Sequence, residues 1–423
     1  MKAYESHAHY SSKVRECTNF AIREIRKVCK EVGPRPAGFE GEKKGQDYVE
    51  KLMTPIADEV RREKFTLSPK AFMSWVMIDG ALALVAAILG ILCFALQLPD
   101  MAEMVMRIVS IVLVVLAVFF LIGEFLLYKK VLDPFFKKQE SSNVICVRKA
   151  SGETKRRIII GGHMDTAYEW RYTYLGGPKL VTTVVITAVL SLLITLGLSI
   201  AGFFVANPVA EYVLIGVQAL AIPALISVMF FVNWKLPVDG AADDLTGVFT
   251  AMATLLYFKH NDIRLENTEI VAVSVGAEEE GLRGSKAFAK VHGDEYKNDG
   301  VETVFIALDT LRDYDFMGIV TKDMTATVAL DKQACALMKK ASENADVPVN
   351  FTTTPLGSTD AAAMQQGGIK SVAFTSMDPA PARYYHTRDD NVNVLEMKTL
   401  EDSLKVVLET VFLFDEQGLK DSY

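Results

Sequence analysis

The segment VSVGAEEEGLRGS, residues 273–285, places three successive carboxylates directly after an apolar run that is typical of a buried strand. Like charges this close repel one another, and a bound metal cation can offset the repulsion. Gly281 and Gly284 follow at once, and glycine allows the tight turns that a binding loop needs. The segment therefore predicts a strand that ends in a polar, metal-binding loop.

The polar part of the chain alternates strand-like and helix-like segments around this motif. The strand-like segments are RRIIIGG, NTEIVAVSVGA, TVFIALD, VPVNFTT and SVAFTS. Segments with helical spacing of apolar residues separate them, as in LTGVFTAMATLLYFK and KQACALMKKASENA. The alternation predicts an α/β domain with a mostly parallel mixed sheet that helices cover on both faces. In such sheets, ligands bind at the carboxyl ends of the strands.

Candidate chemical groups stand at these predicted strand ends and in two loops. The motifs are GGHMD with His163 and Asp165, GAADDLTG with Asp243 and Asp244, GAEEEG with Glu278, Glu279 and Glu280, FIALD with Asp309, and YYHT with His386. One such residue alone is more often a cap or an ion-pair partner. Five groups that converge on one edge of a sheet are different, because histidines and carboxylates together are zinc ligands.

Four long apolar stretches interrupt the domain, at residues 74–98, 108–128, 180–206 and 212–234. Each reaches the roughly 20 residues that a helix needs to cross the hydrocarbon core. They form two hairpins, whose tips are PDMAEMVMR and NPVAE. Lysine and arginine collect at the other ends, so the positive-inside rule places the tips outside and the polar domain in the cytoplasm. The alternative is a set of buried core helices.

Composition fits an integral, multi-pass protein, which we expect in the plasma membrane. The net charge of −7 over 423 residues gives no sign of nucleic-acid binding. The five cysteines have no disulfide or metal-binding spacing and read as free thiols in a reducing compartment. The N-terminal segment contains no apolar run, so we expect no signal peptide. Two acids within the spans, Asp79 and Glu124, are either functional groups or interfacial acids that reach water.

The ordered motifs GGHMD, GAADDLTG, GAEEEGLRGS, ALD and YHT resemble metallopeptidase family 28. The family comprises two-zinc aminopeptidases, glutamate carboxypeptidase and glutaminyl cyclase. VGPRPAGFEGEKKGQDYVEKLM and GSTDAAAMQQGGIKSVAFT resemble two further segments of the family. The resemblance covers the chain outside the hairpins and implies a zinc-exopeptidase-type three-layer α/β fold.

The resemblance also implies two metal sites that share one ligand. Asp243 would bridge two zinc ions, with cobalt or manganese as alternatives. His163 and Asp309 would complete one site. Glu279 and His386 would complete the other.

Further roles follow from the same resemblance. Glu278 would be the general base that takes a proton from the attacking water and delivers it to the leaving amine. Asp165 would orient the imidazole of His163. Tyr385 would either donate a hydrogen bond to the oxyanion or pack against the metal loop. Glu280 is expected to be a solvated acid.

The hairpins are a departure from the family, because they interrupt the catalytic domain. The expected organisation is a peptidase domain in three pieces, 1–70, 131–179 and 235–423, with membrane hairpins at 71–130 and 180–234. A cis peptide bond between Asp243 and Asp244 is also expected. The implied function is a membrane-anchored zinc aminopeptidase that acts on peptides. The alternatives are a glutaminyl-cyclase-type acyltransferase and a catalytically inactive membrane receptor or scaffold.

Overall fold

The computed structural model describes residues 2–96, 98–205 and 207–423. Gln97 and Ala206, which belong to the first and third predicted spans, lie outside the described residues. The chain divides into two compact units. The α/β unit comprises the chain up to Pro69, Lys138–Tyr168 and Leu236–Tyr423, and the helical unit comprises Lys70–Lys137 and Glu169–Lys235.

The α/β unit is built on a nine-stranded mixed sheet. The strands of the chain are β1 Glu59–Leu67, β2 Gln139–Arg148, β3 Arg156–His163, β4 Tyr168–Trp170, β5 Val232–Pro237, β6 Thr268–Val275, β7 Glu302–Leu311, β8 Met317–Asp323, β9 Val328–Ala329, β10 Asn350–Thr353 and β11 Lys370–Ser376. The order in the sheet is β1-β2-β6-β3-β7-β11-β8-β10, with β9 beside β8. The central strands β6, β3, β7 and β11 are parallel, and antiparallel pairs flank them. The predicted mixed α/β fold is confirmed.

Seven α-helices of the described residues accompany this sheet, and the two predicted at LTGVFTAMATLLYFK and KQACALMKKASENA are among them. The helices of the chain are α1 Tyr10–Glu31, α2 Glu40–Met53, α3 Ala71–Ala95, α4 Asp100–Phe120, α5 Arg171–Ala201, α6 Pro208–Met229, α7 Leu245–His260, α8 Arg283–Asn298, α9 Lys332–Asn344, α10 Asp360–Gln366 and α11 Met397–Gln417. Helix α7 is buried along almost its whole length, because it packs on β3, β6 and β7 while α1 and α11 pack on it. Helix α7 begins directly after the Asp243–Asp244 pair.

The helical unit contains α3, α4, α5 and α6, which are long and apolar enough to cross a membrane. All four helices begin earlier than expected, and the link of the first hairpin is shorter than its predicted tip. Helix α4 continues as a π-helical segment to Leu126. Helix α5 is interrupted at Gly177, which has a φ of 63°, and at Pro178, which has no N–H to donate.

Hydrogen bonds made by polar side chains link the four helices. The Ser110 hydroxyl lies 2.7 Å from that of Ser199 and donates to the carbonyl of Ala86. The Gln218 amide donates to the Thr195 hydroxyl at 2.9 Å. Such bonds stabilise helix packing where water is absent.

The two acids within the spans are both buried. Asp79 is 7 % exposed, and Glu124 is fully buried and accepts a hydrogen bond from the N–H of Leu132 at 2.6 Å. Neither carboxylate therefore lies at the surface of the helical unit, as interfacial acids that reach water would.

Candidate metal centre

Three parallel strands bring the predicted ligands to one edge of the sheet. His163 is the last residue of β3, the glutamates follow the end of β6, and Asp309 lies near the end of β7. Strands β6 and β7 both pair with β3, so their carboxyl ends are adjacent. Asp243 precedes α7, and His386 lies in the loop that follows β11.

The Asp243 carboxylate is the centre of this cluster. Its Oδ1 lies 3.1 Å from Nε2 of His163, and its Oδ2 lies 3.1 Å from Nε2 of His386. The same His386 nitrogen lies 3.2 Å from Oε1 of Glu279. Because both imidazoles contact one carboxylate, two residues that are far apart in the chain form a single site.

Three groups of side chains have ligand atoms within 4.8 Å of one another. These groups are His163 with Asp243 and Asp309, Asp243 with Glu279 and His386, and His163 with Glu278 and Glu279. The first two groups share Asp243, and they are the two ligand sets that the family resemblance implied. Glu278 stands beside them, with Oε2 3.9 Å from Nε2 of His163.

A second set of carboxylates binds the backbone of the ligand loops. Asp244 accepts from the N–H of His163 at 2.9 Å, from that of Thr310 at 3.1 Å and from that of Gly247 at 2.9 Å. It therefore ties the loops of His163 and Asp309 to the start of α7. The peptide bond between Asp243 and Asp244 is cis, as the resemblance implied.

The Asp390 carboxylate likewise accepts hydrogen bonds from backbone N–H groups, and it links another pair of loops. Its two oxygens accept from the N–H groups of Ala242 and Asp243 at 2.7 and 3.0 Å. The loop that carries His386 is thereby fastened to the loop that carries Asp243. The sequence reasoning missed Asp390, although it lies four residues after His386.

The Asp165 carboxylate has a different main contact from the one expected. It accepts from the N–H groups of Glu278 and Glu279 at 2.9 and 3.0 Å, and its Oδ1 lies 3.6 Å from Nδ1 of His163. The backbone carbonyl of Asp165 is closer to that nitrogen, at 3.2 Å. Asp165 thus contacts the imidazole through both groups while it fixes the glutamate loop.

Arg35 is a fully buried cation beneath the site, and the sequence reasoning missed it. Its guanidinium donates to the carbonyls of Met164, Gly33 and Gly240 at 2.7, 2.8 and 3.1 Å. Met164 follows His163, and Gly240 precedes Asp243. Arg35 therefore holds the N-terminal segment against two ligand loops. Its signal in the sequence was the GPRPAG motif, which contains this one charge.

Burial, together with the surplus of negative charge in the cluster, shifts the pKa values of its side chains. Burial, followed by the charge of Asp243, raises the pKa of Asp309 to about 7. Burial also raises the pKa of Glu278 well above its usual range. Burial alone would lower the pKa of His386, but the neighbouring Glu279 raises it to about 10.

The donor set fits divalent metal ions. Oδ2 of Asp243 and Oε1 of Glu279 are buried, and within the described residues their contacts with Nε2 of His386 do not have the geometry of hydrogen bonds. Buried carboxylate oxygens without hydrogen bonds are costly unless a cation binds them. Neutral imidazoles and carboxylates together are typical zinc ligands.

Two further predictions concern side chains beside the ligands. The ring of Tyr385 stacks on His386, with centroids 3.9 Å apart. Glu280 was expected to be solvated, and this was wrong, since it is 6 % exposed. The reason is a tight turn, in which the N–H groups of Gly281 and Leu282 both donate to the carbonyl of Glu278. The turned-in Glu280 also lies close enough to Tyr168 to add to the effect of burial, and the pKa of that phenol is raised to about 12.

Comparison with known proteins agrees with the family resemblance that the motifs indicated. Residues 226–411 match the model of Peptidase family M28. A sequence comparison with curated proteins gave no match.

Several solved structures are similar to the whole chain. A zinc aminopeptidase from Bacillus subtilis is 14 % identical with a TM-score of 0.54, and the match covers 93 % of this chain and 94 % of that protein. A glutaminyl cyclase from Fimbriiglobus ruber is 14 % identical with a TM-score of 0.55 and coverages of 94 % and 95 %. LapB from Legionella pneumophila is 12 % identical with a TM-score of 0.53 and coverages of 96 % and 75 %. At these identities the similarity establishes the fold, and the family match shows that residues 226–411 are similar to Peptidase family M28.

Proposed function

We propose that this chain is a membrane-anchored, zinc-dependent aminopeptidase that removes N-terminal residues from peptides. One observation carries the proposal. The two oxygens of Asp243 each contact a different histidine, and each histidine has a further carboxylate beside it, Asp309 or Glu279. This arrangement supports two metal sites that share one bridging ligand.

In this proposal, His163 and Asp309 hold one ion, Glu279 and His386 hold the other, and Asp243 binds both. Zinc ions bound there would polarise the scissile carbonyl and make water acidic enough to lose a proton near neutral pH. Cobalt and manganese are alternative ions for the same donors.

Glu278 is the proposed general base. Its carboxylate is buried, lies beside His163 and has a raised pKa, all of which favour uptake of a proton. It takes the proton of the attacking water and gives it to the leaving amine. Asp165 positions Glu278 through the backbone, and the Tyr385 hydroxyl is proposed to donate to the oxyanion.

The helical unit is the proposed membrane anchor, with hairpins at 71–130 and 180–234 and the peptidase domain in the remaining segments. Its apolar side chains are exposed to a degree that a water-soluble surface rarely shows, as Leu220 at 81 % and Val209 at 72 % illustrate. The basic residues outside the hairpin tips favour a peptidase domain on the cytoplasmic side of the plasma membrane.

A second candidate is a glutaminyl-cyclase-type acyltransferase, since a glutaminyl cyclase is among the similar structures. The presence of two complete ligand sets favours the hydrolase. An inactive receptor or scaffold is disfavoured by the intact base and ligands.

The test is an assay of the purified protein in detergent, with and without chelator. Substrates are aminoacyl chromogenic amides, their N-acylated forms and a peptide with N-terminal glutamine. We expect hydrolysis of the free-amine substrates only, a metal content of two ions per chain, and loss of activity with retained metal in Glu278→Gln. The control is Glu24→Gln, a buried acid on α1 that contacts Tyr48, Arg23 and Lys27.

The outcomes separate the candidates. Cyclisation of the glutamine peptide without hydrolysis would favour the transferase. Full activity in Glu278→Gln would refute the assigned base. Orientation is tested with a cysteine placed at Asp100 in a variant whose five native cysteines are replaced, and a membrane-impermeant reagent should label it in intact cells.

A further inference from the structure

The loop that carries Glu278 is held by an unbroken series of backbone hydrogen bonds. The N–H of Gly276 donates to Oδ1 of Asn143 at 3.0 Å, and the N–H of Ala277 donates to Oε1 of Glu42 at 2.8 Å. The next two N–H groups donate to Asp165, as described above. Four successive amides are thus bound by side chains from three other segments of the chain.

Glu42 is itself fixed on every side. It lies on α2 and is 1 % exposed. Its Oε1 also accepts from the Ser141 hydroxyl at 2.8 Å, and its Oε2 accepts from the N–H of Gly38 at 2.7 Å. Because three donors hold the carboxylate, it presents an acceptor to Ala277 in one defined place.

The loop also has no room to move toward Glu42. A Cβ at Gly276 would lie 2.6 Å from the Ser141 hydroxyl and 2.8 Å from Oε1 of Glu42. On the other side, the Asn143 amide donates to the carbonyl of Gly284 at 3.0 Å, so it links both ends of the loop. A change at Glu42 would therefore displace Ala277, the residue directly before Glu278.

We propose that Glu42, assisted by Asn143, is a positioning residue that sets the place of the Glu278 carboxylate in the active site. The inference rests on the proposed function, because it assumes that Glu278 is the base. A role limited to stability is the alternative, since Glu42 also binds the segment before α2. The Glu42→Gln substitution tests the two roles, because glutamine keeps the volume of the side chain. It replaces one carboxylate oxygen, which accepts hydrogen bonds, with an NH2 group, which donates them.

The experiment compares Glu42→Gln with wild type and with the control Glu24→Gln, which makes the same change at another buried acid. We measure kcat and KM on an aminoacyl substrate at saturating zinc, and hydrogen exchange of the amides in residues 273–285 by mass spectrometry. We expect kcat to fall about 10–100-fold in Glu42→Gln with KM nearly unchanged. Amides 276–279 should exchange faster, with or without zinc.

A second variant guards against misfolding. Ser141→Ala removes one donor to Glu42 and leaves the carboxylate in place, so it should show the same changes to a smaller degree. Glu24→Gln should lower only the thermal midpoint.

Three results would overturn the inference. These are wild-type kcat in Glu42→Gln, unchanged exchange of the 276–279 amides, and a Ser141→Ala variant that behaves as wild type. Failure of the proposed function looks different, since Glu278→Gln would then retain activity. Inactive Glu278→Gln combined with fully active Glu42→Gln refutes the positioning role alone.

Discussion

Gly162, the residue before His163, is a place where one methyl group should disable the metal site. A Cβ at this position would lie 2.5 Å from the N of Val248, 2.6 Å from Oδ2 of Asp244 and 2.6 Å from the carbonyl carbon of Gly247. Two of these atoms belong to the backbone of α7, which cannot turn aside as a flexible side chain can. The Gly162→Ala substitution must therefore displace the start of α7 or the end of β3.

The displacement can be estimated from the distances. Carbon atoms in good contact are about 3.5–4 Å apart, so relief of the clash needs a shift of about 1 Å. Such overpacking costs about 1–3 kcal/mol, and loss of the hydrogen bond from the His163 N–H to Asp244 costs about 1.5–3 kcal/mol more. A shift of this size near the reacting groups lowers the rate about 100-fold.

The neighbouring Gly161 is the matched control, since it lies on the same strand and points to the opposite face. A Cβ there would lie 3.2 Å from the ring of Phe305 and 3.3 Å from the carbonyl of Val273. A small movement of the ring accommodates it. The assays are metal affinity by titration calorimetry, kcat/KM and the thermal midpoint in detergent. If Gly162→Ala bound metal and turned over substrate as Gly161→Ala does, the reasoning would be refuted.

Three further predictions concern charged groups and their partners. Arg35→Met should lower the free energy of unfolding by about 3–5 kcal/mol, because three carbonyls lose a donor. The loss should exceed that of Arg148→Met, which removes donors to the one carbonyl of Ile263. Equal losses of thermal stability in the two variants would contradict this. Chelation should lower the thermal midpoint by about 5–10 °C and added zinc should restore it, whereas a midpoint that ignores chelator would argue against a metal centre. The hydrogen bond from Arg264 lowers the pKa of Asp58 to about 2, so this carboxylate stabilises the fold fully above about pH 4 and ceases to do so as the pH falls through 2. The stability gap between wild type and Asp58→Asn should close over that interval, and a gap independent of pH would be the contrary result.

Two of the strands that the sequence analysis did not predict, β1 and β2, contain polar residues that do not fill the core. Strand β1, EVRREKFTL, carries five charges in nine residues and would not be read as a strand by its apolar pattern. It lies at the edge of the sheet, where charges discourage pairing with another molecule. Strand β2 begins QESSN, and two of these residues, Ser141 and Asn143, are buried because they bind α2 and the glutamate loop.

The candidate ligands were predictable for a different reason than the residues around them. A ligand such as His163 stands in a recognisable motif at the end of a buried strand. Asp244, Asp390 and Glu42 act by accepting hydrogen bonds from backbone N–H groups, and every non-proline residue has such a group. Nothing in the sequence of the donor marks it as a partner. The prediction that Glu280 is solvated was wrong for a related reason, because a tight turn sets the direction of this side chain.

The two insertions leave the sheet intact because each departs and returns at paired residues. Leu67 lies opposite Gln139 in the antiparallel pair of β1 and β2, on either side of the first hairpin. The N–H of Val238 donates to the carbonyl of Ala167 at 3.0 Å, on either side of the second. When the two ends of an insertion are paired in this way, the sheet does not require a particular conformation of the chain between them. The entropic cost of closing a long loop also grows only slowly with its length. The ligand loops on both sides are tied to one another by Asp244, Asp165 and Arg35, not by the chain that connects them, so the site can form whatever the hairpins contain.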